Sequence, residues 1–217
     1  MSSLGEDGYF SVPLNDGSQF PVHLPLMGTE NWEQGTGNGM YGWRGKIGLL
    51  VPANNSVIEP EMWRVLPEKV SLHSRRTWRH CITAATALWA ALEALGRRAV
   101  SIATPYPRAL HARVAPFFRD LGFTVVSEAT ADILDMAEVP RRPPQEAYSL
   151  ARSICRPETE VLVILATDFR TFEILDALEQ DTGRPAISTN QALLWHALRT
   201  LGVHDRLPGL GTLLREH

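Results

Sequence analysis

The stretch EVLVILATDFRTFEILDALEQDTGRPAISTNQALLW, from Glu160 to Trp195, decides the fold of this chain. Val161 to Leu165 is an unbroken apolar run that predicts a buried strand, and a small polar loop and an amphipathic helical pattern follow it. Pro185 to Ser188 predicts a second short strand, again followed by a polar loop and a helix. Strands that alternate with helices indicate βαβ units and a parallel sheet, and ligands bind at the carboxyl edge of such sheets.

The same alternation runs through the chain from Trp43 onward. It predicts further strands at 46–51, 99–103 and 123–127, and helices at 86–95, 110–121, 145–155, 169–180 and 191–201. The sequence therefore predicts an α/β fold with a doubly wound parallel sheet. Residues 1–42 are rich in Gly, Ser, Asn and Pro and show neither a strand nor a helical period. We expect a flexible amino-terminal extension there, followed by one α/β domain at 43–217.

The composition limits the classes of function. The chain has 217 residues and a net charge of −3, which leaves no basic surface for nucleic acid. No apolar run reaches the ~20 residues of a membrane span, and the amino terminus lacks the pattern of a signal peptide. Cys81 and Cys155 make no disulfide framework and fit a reducing compartment. We therefore expect a cytoplasmic protein with neither nucleic acid nor membrane as a partner.

Small polar residues follow four of the predicted strands. They are Asn54, Asn55 and Ser56, then Thr104 and Tyr106, then Thr167 and Asp168, and finally Ser188, Thr189 and Asn190. Taken one cluster at a time, such residues are typical helix N-caps. Four clusters at one sheet edge instead indicate a shared carboxylate site, because hydroxyls, amides and helix amino ends bind anions. The spacing of the histidines matches no recognised metal site.

Two motifs add a family resemblance. Gly42 to Pro52, followed by Asn55, Ser56 and Glu59 to Glu61, resembles the opening motif G-W-R-x-R-I-G-L-I-V-P-S-S-N-T-x-x-E-P-E of the maleate cis-trans isomerase and arylmalonate decarboxylase branch of the Asp/Glu racemase superfamily. Thr104-Pro105-Tyr106 resembles the T-P-Y element of that branch, and residues 188–191 resemble its S-S-N-Q element. The resemblance covers Gly42 to Val203.

The resemblance implies a protein that uses no metal and no organic cofactor, binds a small carboxylate or dicarboxylate, and associates into homo-oligomers. It also implies which residues line the substrate site, namely Asn55, Ser56, Thr104, Tyr106, Thr167, Ser188 and Asn190. Members of the branch use two cysteines on opposite faces of the substrate, as nucleophile and as proton donor.

This chain departs from the resemblance at both cysteines. Ala166 stands where the second cysteine is expected, and the segment that carries the first is absent between Val65 and Cys81. Roughly forty to fifty residues, about one βαβ unit, are missing there. We therefore expect the first half of the sheet to be truncated.

Three functional interpretations remain open from the sequence. The chain is a weakly active or inactive isomerase-like protein that binds a carboxylate, a non-catalytic binding or interaction protein, or an enzyme of arylmalonate decarboxylase type with rewired acid–base chemistry. The candidate catalytic residues of the last are Tyr106, Asp168 and Cys81. Asp168 would either repel a dianion or act as a base. Cys81 lies where buried, inert thiols are also common.

Overall fold

The computed structural model describes residues 9–13, 19–23, 44–49, 55–73 and 82–217. The chain divides into two units, Met1–Gly39 and Met40–His217. In the first unit, β1 (Tyr9–Pro13) pairs antiparallel with β2 (Gln19–His23). The sequence pattern predicts no strand in this part, so the hairpin corrects that prediction. Each strand contains a proline, Pro13 or Pro21, and proline in a short run argues against assigning a strand from the sequence.

Four parallel strands form the main sheet of the second unit, in the order β6-β5-β7-β8. They are β5 (Ala99–Thr104), β6 (Thr124–Thr130), β7 (Val161–Ile164) and β8 (Ala186–Ser188). Every residue of β7 and β8 is buried, as expected for strands in a parallel sheet that is covered on both faces. The predicted α/β class with a parallel sheet is confirmed.

A second pair of parallel strands comes from the first half of the domain. β3 (Gly45–Gly48) pairs with β4 (Val70–His73), and α1 (Ile58–Trp63) lies between them in the chain. Within the described residues, no backbone ladder joins this pair to the four-stranded sheet. In the part of the first half that the structure describes, β3, α1 and β4 form a short βαβ unit.

The remaining helices are α2 (Ala84–Leu95), α3 (Arg108–His111), α4 (Val114–Asp120), α5 (Pro144–Ser153), α6 (Leu175–Thr182), α7 (Thr189–Thr200) and α8 (Gly211–Glu216), with 3-10 helices at Met136–Arg141 and Phe172–Ile174. The helix predicted at 110–121 is wrong as one element, because α3 and α4 divide it. The helix predicted at 169–180 is also shorter, since residues 166–171 form a loop. No helix in the described part of the chain could span a membrane.

One continuous hydrophobic core connects both halves of the domain. It includes Ile47 and Leu72 of the first strand pair, and it extends through α2 and α7, which pack against each other. An ion pair adds a polar link at the surface, where Arg44 Nη1 donates to Asp205 Oδ2 at 2.9 Å. The Arg44 guanidinium holds the pKa of Asp205 below its usual value. The shared core and this ion pair connect the first strand pair to the rest of the domain, and α1 packs against α7.

Candidate functional site

Asn55 and Thr167 meet at the carboxyl edge of the sheet. Asn55 Oδ1 accepts hydrogen bonds from the backbone N–H groups of Val57 (3.0 Å) and Ile58 (3.2 Å), where α1 begins. These two hydrogen bonds orient the amide so that Asn55 Nδ2 donates to Thr167 Oγ1 at 2.7 Å. Two predicted site residues are thus in contact, although they come from different halves of the domain. The neighbouring Ser56 is exposed.

The loop that carries Thr167 begins with an unusual residue. Ala166 is buried, at 6% exposure, and has a φ of +85°, a conformation that residues other than glycine seldom adopt. Such backbone conformations concentrate at functional sites, where the surrounding structure enforces them. The methyl group of Ala166 can neither attack a substrate nor transfer a proton. This position therefore affects the path of the loop but provides no reactive group.

Glu61 is a buried carboxylate that the sequence analysis assigned to no role. Its Oε1 accepts from the backbone N–H groups of Thr171 (2.8 Å) and Phe172 (3.2 Å), and its Oε2 accepts from Asn190 Nδ2 (2.7 Å). Glu61 is only 3% exposed, and this burial raises its pKa, while the hydrogen bonds from Asn190, Thr171 and Phe172 act in the opposite direction. The negative charge of Glu173 raises the pKa of Glu61 further.

A sequence signal could have identified Glu61. It shares the buried side of α1 with Ile58 and Met62, at helical spacing. A carboxylate on the apolar side of a helix is rarely fully buried unless it is paired, so its position in that pattern is itself informative.

Asn190 completes the cluster around Thr167. Asn190 is fully buried, and its Nδ2 donates both to Glu61 Oε2 and to the carbonyl oxygen of Thr167, at 3.1 Å. Its Oδ1 is also buried but has no hydrogen-bond partner among the described residues. An unsatisfied buried acceptor costs free energy and is uncommon in folded proteins. Asn190 Oδ1 is therefore a group that a ligand could satisfy.

Ser188 serves as the cap of α7. Its hydroxyl accepts from Gln191 N–H at 3.2 Å, and Gln191 Oε1 accepts from Ser188 N–H at 3.3 Å, which together make a capping box. Ser188 and Gln191 are both fully buried, and Gln191 Nε2 also donates to the carbonyl oxygen of Leu210. The hydroxyl of Ser188 is thus occupied inside the protein, as the capping interpretation of this cluster predicts.

Thr104 is likewise bonded within the protein. Its fully buried hydroxyl lies 2.9 Å from Nδ1 of His111, and the other ring nitrogen of His111 lies 3.8 Å from a carboxylate oxygen of Glu128. These contacts hold the turn that follows β5 against α3. The hydroxyl of Thr104 is therefore occupied by a contact within the protein.

Tyr106 and Asp168 interact electrostatically at the same edge. Burial, with a smaller contribution from the charge of Asp168, raises the pKa of Tyr106 to about 12. Burial also raises the pKa of Asp168, which is half-buried. The phenol of Tyr106 therefore stays neutral and can donate a hydrogen bond, whereas the raised pKa of Asp168 brings its carboxyl group closer to the range in which it can exchange a proton.

The remaining candidates lie away from this cluster or cannot be placed. Cys81 is outside the described residues, and Cys155 is a half-buried free thiol that follows α5. Among the described residues, no three His, Cys, Asp or Glu side chains are placed to hold a metal ion. Two open clefts, of about 510 Å³ beside α5 and about 340 Å³ at the amino ends of β7 and β8, do not include the cluster residues.

Comparison with known proteins relates the chain to arylmalonate decarboxylases and maleate isomerases. The profile of the arylmalonate decarboxylase family matches residues 69–214. The maleate isomerase of Nocardia farcinica is 30% identical over 135 residues, which are 62% of this chain and 54% of that protein. The chain thus spans about half the length of the curated relatives that it matches.

Solved structures agree with the sequence comparison. The fold is similar to that of a maleate isomerase from Pseudomonas putida S16 crystallised with maleate, with a TM-score of 0.71, 21% identity, and coverage of 78% of this chain and 97% of that one. It is also similar to a mutant of the Nocardia farcinica maleate cis-trans isomerase that carries a covalently bound succinylcysteine intermediate. There the TM-score is 0.59 and the identity 27%, over 69% of this chain and 57% of the other.

Proposed function

The chain belongs to the arylmalonate decarboxylase family, and we propose that it binds a small carboxylate or dicarboxylate at the carboxyl edge of its sheet without cysteine-based turnover. The cluster of Asn55, Thr167 and Asn190 carries this proposal. It brings two amides and a hydroxyl together from three strand ends. Asn190 Oδ1 is buried there and has no hydrogen-bond partner in the part of the chain that the structure describes. Ala166, beside the cluster, accounts for the second part of the proposal, since it offers no thiol.

The solved relatives support a separation of binding from catalysis. The Pseudomonas putida S16 enzyme was crystallised with maleate as a variant in which one cysteine is replaced by alanine. The Nocardia farcinica enzyme forms a covalent bond between a cysteine and a succinyl group. The first shows that a relative holds maleate with one thiol removed, and the second shows chemistry that requires a thiol. A chain with Ala166 at one of the family's cysteine positions would keep the binding and lose this chemistry.

A second candidate function is an acid–base enzyme of arylmalonate decarboxylase type. The electrostatic interaction between Tyr106 and Asp168 favours it. Decarboxylation of an activated acid leaves a carbanion that needs one proton, and a neutral Tyr106 or a protonated Asp168 is a possible source. Turnover that disappears in Asp168→Asn and in Tyr106→Phe would establish this function in place of simple binding.

Thermal unfolding with and without maleate, malonate and aspartate tests the proposal. A ligand at 100 times its dissociation constant should stabilise the protein by about 2.7 kcal/mol. Thr167→Val should abolish this gain. Thr200→Val should retain it, because the Thr200 hydroxyl lies at the exposed end of α7 and donates to the carbonyl oxygen of His196 on the same helix. No stabilisation by any of the acids would contradict binding. Stabilisation accompanied by isomerisation or decarboxylation would contradict the absence of turnover.

Self-association and a cytoplasmic location remain predictions, as does the boundary between the extension and the domain near residue 42. Analytical ultracentrifugation of the full chain tests the first. Limited proteolysis followed by mass measurement tests the boundary. If the boundary is correct, proteolysis should leave a stable fragment that begins near Trp43.

A further inference from the structure

We propose that carboxylate binding at this edge is coupled to the uptake of one proton by Glu61 and to a reversal of the Asn190 side-chain amide. The inference rests on the proposed function, because it concerns how the same site admits an anion. It assigns Glu61 and Asn190 to one proton-linked binding element.

The hydrogen bonds around Glu61 satisfy its carboxylate but leave the side-chain oxygen of Asn190 without a donor. Three N–H donors point at its carboxylate, from Thr171, Phe172 and the side chain of Asn190. Both hydrogens of Asn190 Nδ2 are used, one by Glu61 and one by the Thr167 carbonyl. Asn190 Oδ1 receives no donor at all within the described residues. The amide is therefore oriented by the negative charge of Glu61, at the expense of its own acceptor.

Protonation of Glu61 would remove the reason for that orientation. A hydrogen on Oε2 would face the N–H of Asn190, and two donors cannot satisfy each other. Rotation of the amide by half a turn places Asn190 Oδ1 where it accepts the new hydrogen. The same rotation turns Nδ2 toward the side on which Oδ1 is now unpaired, where its N–H groups can donate to a ligand carboxylate.

The Thr167 carbonyl makes the reversal conditional on the ligand. In the reversed state this carbonyl loses its N–H donor, and an unsatisfied backbone acceptor is costly. A bound carboxylate compensates by accepting from the reversed amide. The balance is simple, since one proton moves from solvent to Glu61 Oε2 and no covalent bond to carbon forms or breaks.

The charges around Glu61 favour the same coupling. Glu173 is the charged group that acts on Glu61 from the loop side, and its own carboxylate pairs with Arg64 and Arg170 at 3.1 Å each. The group that faces Glu61 from α7 is the uncharged Asn190. An anionic ligand near Asn190 would add a second negative charge, so neutralising Glu61 lowers the cost of binding.

Calorimetry of the full chain with maleate or malonate tests the proposal. Titrations in two buffers of different ionisation enthalpy, at pH values where the ligand is fully ionised, measure the protons taken up on binding. We expect uptake approaching about one proton per ligand, with a dissociation constant that rises up to about tenfold per pH unit. Binding without proton uptake would overturn this inference and leave the proposed function intact. Complete absence of binding would overturn both.

Glu61→Gln provides the discriminating variant. Its side-chain oxygen can still accept from Thr171 and Phe172, and its amide can donate to the reversed Asn190, so it imitates the protonated state. We expect it to bind the same ligand without proton uptake and with an affinity that does not change with pH. Uptake that persists in Glu61→Gln and disappears in Asp168→Asn would assign the proton to Asp168 and overturn the inference. If Glu61→Gln fails to fold, the two-buffer measurement on Asp168→Asn decides, because proton uptake that disappears in this variant would overturn the inference and uptake that persists cannot come from Asp168.

Discussion

Asn55 Nδ2 donates a hydrogen bond to Thr167 Oγ1 at 2.7 Å, and thereby joins two residues that are 112 positions apart in the sequence. The first residue precedes α1, and the second lies in the loop after β7. Within the described residues, no backbone ladder connects the strands of these two halves. The side-chain hydrogen bonds of Asn55 and Glu61 therefore act together with the shared hydrophobic core to hold the loop after β7 beside α1.

This hydrogen bond should be measurable by a double-mutant cycle. Thr167→Val should lower the free energy of unfolding by about 1 kcal/mol, because it removes one hydrogen bond. Asn55→Ala should cost about 1–2 kcal/mol, because it also removes the acceptor of the backbone N–H groups of Val57 and Ile58. The double variant should cost less than the sum of the two by about 0.5–1 kcal/mol. Urea denaturation of the four proteins gives these values, and exact additivity would show that the bond contributes nothing.

The pH dependence of stability should carry the signature of Glu61. Its pKa is raised in the folded protein, so its contribution to stability is fully present below the pKa of the unfolded chain. That contribution is lost as the pH rises through the pKa of the folded state. We expect the stability of Glu61→Gln relative to the unmodified protein to increase from acid to neutral pH.

Glu160 supplies a control of opposite sign. Backbone N–H groups of Ala99 and Arg98 lower the pKa of Glu160. Its contribution to stability is therefore present above the pKa of the unfolded chain and is lost as the pH falls through the folded-state pKa. Denaturant midpoints across the pH range should show Glu160→Gln losing stability relative to the unmodified protein as the pH rises, which is the reverse of Glu61→Gln.

The conformation of Ala166 leads to a prediction about glycine. Ala166→Gly should raise the free energy of unfolding by up to about 1 kcal/mol, because glycine adopts a positive φ without steric cost. Ala103→Gly is the matched control, since Ala103 lies in β5, where glycine should destabilise by about 0.5–1 kcal/mol. Equal losses from both substitutions, measured by thermal unfolding, would show that the positive φ at Ala166 stores no strain.

The carboxyl-terminal segment offers a matched pair of glycines. Gly211 has a φ of +75°, and a Cβ atom there would lie 3.0 Å from both Gln191 Nε2 and Glu179 Oε1. Gly209 has a φ of +86°, but a Cβ there would meet nothing within 4 Å. Gly211→Ala should therefore destabilise the protein more than Gly209→Ala, by a further ~1–3 kcal/mol. Similar melting temperatures for the two variants would show that the segment moves aside at little cost.

The sequence predicted which residues lie at the carboxyl edge of the sheet, but it could not predict which hydrogen bonds their side chains make. The apolar runs at β7 and β8 predicted buried strands, and the polar residues after them do lie at the carboxyl edge. Residues such as Ser188 both cap helices and bind anions, so only the structure shows that its hydroxyl is held by Gln191. The histidine that holds Thr104 is seven residues further along the chain and could not be inferred from the pattern.

Two features of the site escaped the sequence analysis for different reasons. A polar loop was predicted directly after β7, but residues 169–171 were assigned to the following helix because the apolar residues from Phe169 onward have helical spacing. The positive φ of Ala166 is not marked by a glycine. Glu61 was overlooked because its three donors come from Thr171, Phe172 and Asn190, all more than a hundred residues away. Such contacts arise from the tertiary fold, and the local periodicity of the sequence does not predict them.

The acceptor for the amides of Thr171 and Phe172 is a carboxylate carried by the other half of the domain. An amide that is held in this way can exchange its hydrogen with solvent whenever the two halves separate slightly, while amides in β5 and β7 must wait for the sheet itself to open. The exchange rates of these two amide hydrogens therefore report how often the two halves of the domain separate. These exchange rates should fall when a ligand contacts both halves of the domain. Hydrogen exchange at Thr171 and Phe172 would then measure ligand binding in the unlabelled protein.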